Sequence, residues 1–342
     1  MAATISPYGT TKDGRQVEKV LLKNGRLEAE IMTLGATVLA LRVPDGHGVL
    51  RDVVLGYTSP AAYEENEGYL GALVGRYANR IAGARFVIDG TEFPLAANEG
   101  SKQLHGGPGG WSFQLFSAEK TGESEVTFRY TAPDGENGYP GRLELAAVYE
   151  LTDEGLCLCY EAACDKATYC NITNHSYFNL NGGGDVLGHL LWIDADSYTP
   201  VDGESIPVAK AWPVEGTVFD FREEKPVGRD LEADEEQLRL TGGYDHNFVL
   251  REKEGLRQAA RLRSEESGIT MEMWTDKPGV QVYSGNYLAT TADTKGGMPY
   301  QKREGICLET QFPPDSPNHP EWGDILLRPG KRYRYTTEYR FL

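Results

Sequence analysis

Only six histidines occur in the 342 residues: His47, His105, His175, His189, His246 and His319. Imidazole titrates near neutrality, so a histidine among polar neighbours is a first candidate for proton transfer. His175 sits in "CNITNHSYFNL" (170–180), a stretch without one charged residue. Read as a strand of period two, Asn171, Thr173, His175, Tyr177 and Asn179 share one face, and Ile172, Asn174, Ser176, Phe178 and Leu180 the other. A solvated face usually carries Lys and Glu; this one carries amides, hydroxyls and rings. His105 sits in "KQLHGGPGGW", where glycines allow close backbone approach by a ligand or a loop.

The candidate carboxylates are Glu309 and Asp245. Glu309 lies in "ICLETQF", between apolar strand neighbours, which predicts partial burial and hence a partner or a raised pKa. Asp245 lies in "GGYDHNF", at a turn entering a strand, and Asn79 and Arg80 lie in the glycine-flanked turn "GRYANRIAGARF". In "GVQVYSGN" Gln281 and Tyr283 share a face opposite Val280 and Val282, and in "ICLETQF" Cys307, Glu309 and Gln311 share another. These rows predict one sheet face lining a polar groove with aromatic walls. Sugars fit such a groove, offering hydroxyls to amides and carboxylates and C–H faces to rings.

Each residue alone has a plainer reading: a hydrogen-bonded core histidine, a solvated glutamate, a structural arginine in a turn. Two histidines with a carboxylate are also a metal-ligand set. No His-x-His occurs, so no metal is expected. "HGGPGG" lacks the lysine and following helix of a phosphate-binding loop, and no G-x-S-x-G elbow is present.

The elements that must carry these residues read as strands. Forty glycines punctuate short β-like runs, among them "RLEAEIMTLGATVLALRV", "ARFVIDGTEF", "SEVTFRYTA", "GRLELAAVYEL", "GLCLCYEA", "ITMEMWTD" and "KRYRYTTEYRF". Helix signals are few: Ser59 followed by Pro60 in "SPAAYEEN", and "DLEADEEQL". Two short helices cannot cover a parallel sheet, so the expectation is all-β, an antiparallel sandwich or barrel.

A net charge of −17 and a pI near 4.9 disfavour nucleic acid and anionic membrane surfaces. No apolar run approaches the roughly 20 residues of a membrane span, and "MAATISPYGT" does not read as a secretory signal. Five cysteines, an odd and low count, predict free thiols in a reducing compartment, hence a cytoplasmic protein. The glycosylation patterns at Asn171 and Asn174 fall inside the predicted strand and read as chance matches.

Taken together, "GRYANRIAGARF", "LHGGPGGW", "NITNHSYFNLNG", "GGYDHNFVL", "PGVQVYSGN" and "GICLETQFPPDSPNHP" resemble the aldose 1-epimerase (galactose mutarotase) family. They occur in family order and span most of the chain. Ser176 stands where the family often has Thr, and the position of Gln281 varies between Gln and an aromatic. The resemblance implies one large antiparallel β-sandwich domain over residues 1–342, of the galactose mutarotase-like supersandwich type, with a few short helices. It implies interconversion of the anomers of a free monosaccharide such as galactose or glucose, without cofactor or metal, by a monomer or homodimer. By motif position Glu309 resembles the general base and His175 the general acid. His105, Asp245, Arg80, Asn79, Gln281 and Tyr177 resemble sugar-holding residues. Reference pKa values make Glu309 ionised at neutral pH and require a neighbouring negative charge to keep His175 protonated. A hexose-6-phosphate epimerase and a non-catalytic sugar-binding sandwich are the alternatives.

Overall fold

The computed structural model describes residues 2–65, 68–290 and 293–342. Strands dominate; among the described residues the α-helices are Pro60–Glu65 and Glu236–Thr241. One sheet has nine strands, in the order Ser117–Lys120, Glu125–Ala132, Leu143–Leu151, Gly155–Cys164, Tyr333–Phe341, Thr270–Thr275, Arg257–Arg263, Leu190–Ile193 and Lys225–Pro226. A second has six, in the order Tyr177–Phe178, Ile306–Gln311, Gly279–Tyr283, Asp245–Leu250, Ala195–Thr199 and Trp212–Pro213. An N-terminal sheet of five consecutive strands, Ala2–Thr10 to Leu50–Asp52, sends Val20, Ala29, Ile31 and Val38 into the same apolar core.

The two larger sheets pack face to face. Strand Leu143–Leu151 shows the usual alternation, burying Leu143, Leu145, Ala147, Tyr149 and Leu151 while Glu144 and Glu150 stay in solvent. Across the interface Phe178 meets Tyr339 at 4.8 Å between ring centres, the Tyr339 hydroxyl donates to the Leu308 carbonyl at 3.3 Å, and the Thr310 and Thr337 hydroxyls are 2.6 Å apart. Ile306, Leu308 and Thr310 therefore face the nine-stranded sheet, and period two turns Cys307, Glu309 and Gln311 the other way. Antiparallel register sets Gln281 opposite Glu309, Tyr283 opposite both Cys307 and Asp245, Asn247 opposite Gln281, and Tyr177 opposite Cys307. The polar face expected from the sequence is thus one continuous surface of the six-stranded sheet.

The stretch 171–180 departs from expectation. It forms two short strands, Thr173–Asn174 paired with Leu73–Val74 and Tyr177–Phe178 paired with Ile306 and Cys307, with His175 and Ser176 between. Asn174 causes the break: its Oδ1 accepts from the Ser176 N–H two residues on, at 3.0 Å, and its Nδ2 donates to the Gly71 carbonyl. Asn171 and Asn179 are consequently not part of the groove floor. Asn171 bonds the main chain at Ala78 and Phe312, and Asn179 the carbonyls of Gly184 and Glu304. The helix at Ser59–Pro60 forms as expected, whereas "DLEADEEQL" becomes helical only from Glu236, stopping at Gly242 with φ +68°. All five cysteines are free, with Cys170 and Cys307 buried.

Candidate active site

A cleft of about 660 Å³ opens over the polar face of the six-stranded sheet. Seven of the eight residues singled out in the sequence line it: Glu309, His175, His105, Asp245, Arg80, Asn79 and Tyr177. Gln281 does not; it lies just behind, its amide buried and its Nε2 donating to Asp245 Oδ1 at 2.7 Å. Gln311 donates in turn to Gln281 Oε1 at 3.2 Å, so a row of amides orients the aspartate.

Two loops roof the sheet and are built for each other. Strand Arg80–Ile81 pairs with Gln103–Leu104, Leu104 lying opposite Arg80. At its ends Asn79 and His105 both adopt left-handed backbone, with φ +67° and +51°. The His105 N–H donates to the Asn79 carbonyl at 3.1 Å, and the Asn79 N–H donates to His105 Nδ1 at 3.2 Å. Non-glycine residues reach this region at a cost, which surrounding contacts must hold in place. A Cβ on Gly106, the residue after His105, would lie 2.1 Å from the Gly75 carbonyl, so only glycine lets the loops approach this closely.

These contacts fix proton positions. His105 is buried and its pKa is held well below the ordinary value, by loss of solvent first and then by His175 and Arg80. With Nδ1 accepting from a main-chain N–H, the neutral ring carries its proton on Nε2, a donor suited to a sugar oxygen.

His175 Nε2 lies 3.6 Å from Glu309 Oε1, both side chains almost wholly buried. Burial pushes His175 down to about 4 and pushes Glu309 well above the carboxylate range. The Asp245 charge reinforces the rise at Glu309, and Arg80 opposes it. Asp245 is itself raised, by burial. The ordering expected from reference values is therefore reversed: a single proton on the pair rests on Glu309. The charges of Asp245 and Glu309 do not lift His175, because desolvation dominates at this depth. Tyr69 and Tyr177 flank the imidazole at 5.9 and 5.1 Å between centres, and Cys307 Sγ sits 3.5 Å from its Nδ1. Glu309 Oε2 is buried with no hydrogen-bond partner among the described residues.

His105, His175 and Glu309 bring one ligand atom each within 4.8 Å of one another, closer than their sequence separation foretold. Ligands of a tetrahedral zinc at about 2.0–2.1 Å lie roughly 3.4 Å apart, and His105 turns an N–H rather than a lone pair inward. The three residues would have to rearrange to hold an ion.

Several cleft residues escaped sequence reading. Tyr69, with φ +56°, packs its ring on His105 at 4.7 Å, and Glu99 binds Arg80 through both oxygens, at 2.7 and 2.9 Å. Glu65, Leu288 and Thr290 complete one end. Nothing in "EGYLG" or "ANEGSK" distinguishes these residues from ordinary turn positions, because their partners are remote or follow only after a hairpin.

A sequence model of the family described as aldose 1-epimerase matches residues 18–340. The chain belongs to the aldose 1-epimerase family. It is 42% identical to galactose mutarotase of Rattus norvegicus over 330 residues, covering 96% of this chain and 95% of the relative. It is 41% identical to aldose 1-epimerase of Escherichia coli K12 over 336 residues, covering 96% of each. The fold matches the crystal structure of galactose 1-epimerase from Lactobacillus acidophilus with a TM-score of 0.88 at 30% identity, covering 100% of this chain and 99% of that one. An aldose epimerase homologue from C. elegans gives 0.87 at 29% identity, with the same coverage. This aldose 1-epimerase is thus an isomerase-class enzyme with a galactose mutarotase-like β-sandwich, and among its described residues no helix is long and apolar enough to cross a membrane.

Proposed function

We propose that this epimerase interconverts the α and β anomers of free hexoses, such as galactose and glucose, with Glu309 and His175 exchanging the protons. The observation that carries the assignment is the buried Glu309–His175 pair at 3.6 Å, whose pKa values are displaced in opposite directions. Opening a cyclic hemiacetal requires one proton removed from the anomeric hydroxyl and one delivered to the ring oxygen. Ionised Glu309 with protonated His175 does both; afterwards Glu309 holds the proton and His175 is neutral. The aldehyde turns by half a rotation, and reclosure runs the transfers backwards. Both forms of the pair carry the same net charge, so passage between them adds no charge to a desolvated site. Burial favours the form left after opening; the sugar's own hydroxyls and the Asp245–Arg80 dipole supply polarity to the other.

Asp245, the His105 Nε2–H, Asn79 and Arg80 Nη1 supply acceptors and donors for sugar hydroxyls, and Tyr177 offers a ring wall. Gln281 acts on the sugar through Asp245. The described lining contains Glu65, Glu99, Asp245 and Glu309 against Arg80 as its one fixed cation, which supports an uncharged sugar over a hexose 6-phosphate. The test is polarimetric decay of anomerically pure galactose, glucose and glucose 6-phosphate with the parent and Glu309→Gln. Loss of nearly all acceleration in a folded variant is expected. Full activity of that variant would end the assignment, and preference for the phosphate would replace the substrate class.

A further inference from the structure

We propose that Glu99 is a positioning residue for this chemistry: it fixes the Arg80 guanidinium in one orientation and holds part of its charge away from Asp245 and Glu309. The inference rests on the reading above that Glu309 and His175 exchange the protons.

Glu99 is presented by a rigid turn. Its N–H and carbonyl exchange hydrogen bonds with Lys102 at 3.2 and 3.1 Å across Gly100, which has φ +61°. The neighbouring Asn98 donates through Nδ2 to the Leu104 carbonyl at 3.0 Å and accepts from the Leu104 N–H at 2.7 Å. Leu104 lies opposite Arg80 in the short ladder, so turn and arginine move as one unit. Glu99 Oε2 accepts from Arg80 Nε and Oε1 from Nη2. A two-bond clamp sets the plane of a guanidinium as one bond cannot. The remaining nitrogen, Nη1, is then aimed at Asp245 Oδ2, 4.0 Å away. Lys102 does not compete for this role, since its Nζ donates to the Glu204 carbonyl at 2.8 Å and is 3.7 Å from Glu99.

Arg80 is therefore shared by three carboxylates, Glu99 in contact and Asp245 and Glu309 at longer range. The groups facing Glu309 are Asp245, Tyr283 and Cys307 from the sheet, Arg80 and His105 from the loops, His175 and Tyr177 from the 173–178 segment, and Tyr339 from beneath. Of these Arg80 is the cation that draws protons off the carboxylates. With Glu99 neutralised, more of its charge acts on Asp245 and Glu309, and both hold their protons less tightly.

The experiment is the pH dependence of kcat/KM and kcat for Glu99→Gln, with Glu99→Asp as the variant that keeps the charge and shortens the reach. Both limbs of the Glu99→Gln profile should move about one unit to lower pH, and its kcat should fall about tenfold as the arginine loses its clamp. The melting temperature should stay within about 3 °C, as for a partly exposed ion pair. Glu99→Asp should restore the limbs but not the full kcat. Limbs that do not move in Glu99→Gln overturn the proposal whatever happens to kcat. That failure is distinct from failure of the catalytic assignment, which Glu309→Gln reads separately.

Discussion

Strands Gly155–Cys164 and Ile306–Gln311 lie in the two facing sheets, and both carry a glutamate on the side turned away from the core. Glu161 meets Arg334 at 3.0 Å in solvent, its side chain 40% exposed. Glu309, with 2% exposure, shares its surroundings with two histidines and another carboxylate. The first strand alternates buried and partly exposed residues, while every residue of the second is buried. The difference is what covers the outer face: water over the nine-stranded sheet, and the Asn79 and His105 loops over the six-stranded one. The same residue type in the same secondary structure pairs with an arginine at the surface in one place and is desolvated, with its pKa pushed up, in the other. Covering a polar sheet face changes how tightly its carboxylates hold protons.

The sharpest test of this contrast is to neutralise both glutamates. Glu309→Gln should lose at least 10²-fold in catalysed mutarotation, within the range of a positioned proton transfer, whereas Glu161→Gln should match the parent in polarimetry. His175→Asn should follow Glu309→Gln, losing on the order of 10²–10⁴-fold while circular dichroism remains native; retained activity would remove His175 from the chemistry. Next in size is Gln281→Leu, which strips Asp245 of a buried donor. It should raise KM by about tenfold, the equivalent of one hydrogen bond to a charged group, with a smaller change in kcat. An unchanged KM would show that Asp245 needs no such support.

The same burial predicts two pH effects. The rate should follow a bell, because the pair works with one proton: a second proton removes the base and loss of the first removes the acid. The acid limb should lie below the ordinary histidine range, since His175 is held at about 4. Stability carries the smaller signature. His175 and His189 at about 4 and His246 at about 3 bind protons more weakly folded than unfolded. The unfolded chain therefore takes up more protons between about pH 6.5 and 4, and the melting temperature should fall as pH drops through that window. His105, also held low, adds to these three, while Glu309, Asp245 and Asp315, raised by burial, work the other way above the usual carboxylate pKa. Histidine midpoints near 6.5 in an NMR titration of the folded chain would show these rings to be solvated.

Much of the site was legible because period two survives folding. Gln281 and Tyr283, and Cys307, Glu309 and Gln311, share the face their alternation assigned them. The 171–180 row was misread as one strand because Asn174 closes a turn on Ser176, a side-chain event that a hydrophobicity pattern does not register. Alternation gives the face of Gln281 but not that its amide meets Asp245 just behind the cleft wall. Glu99 and Tyr69 were missed because their importance lies in Arg80 and the histidines, not in their own neighbours in sequence.

The sequence by itself determined an all-β chain, the residue types able to open and close a hemiacetal, and the strands that present them, since alternation and turn chemistry are local properties. Only the tertiary structure decided that Glu309 rather than His175 holds the proton, that one arginine serves three carboxylates, and that two loops cover the sheet. Desolvation and charge coupling depend on every group packed around an atom, and here those groups come from segments as far apart as Arg80, His175, Asp245 and Glu309.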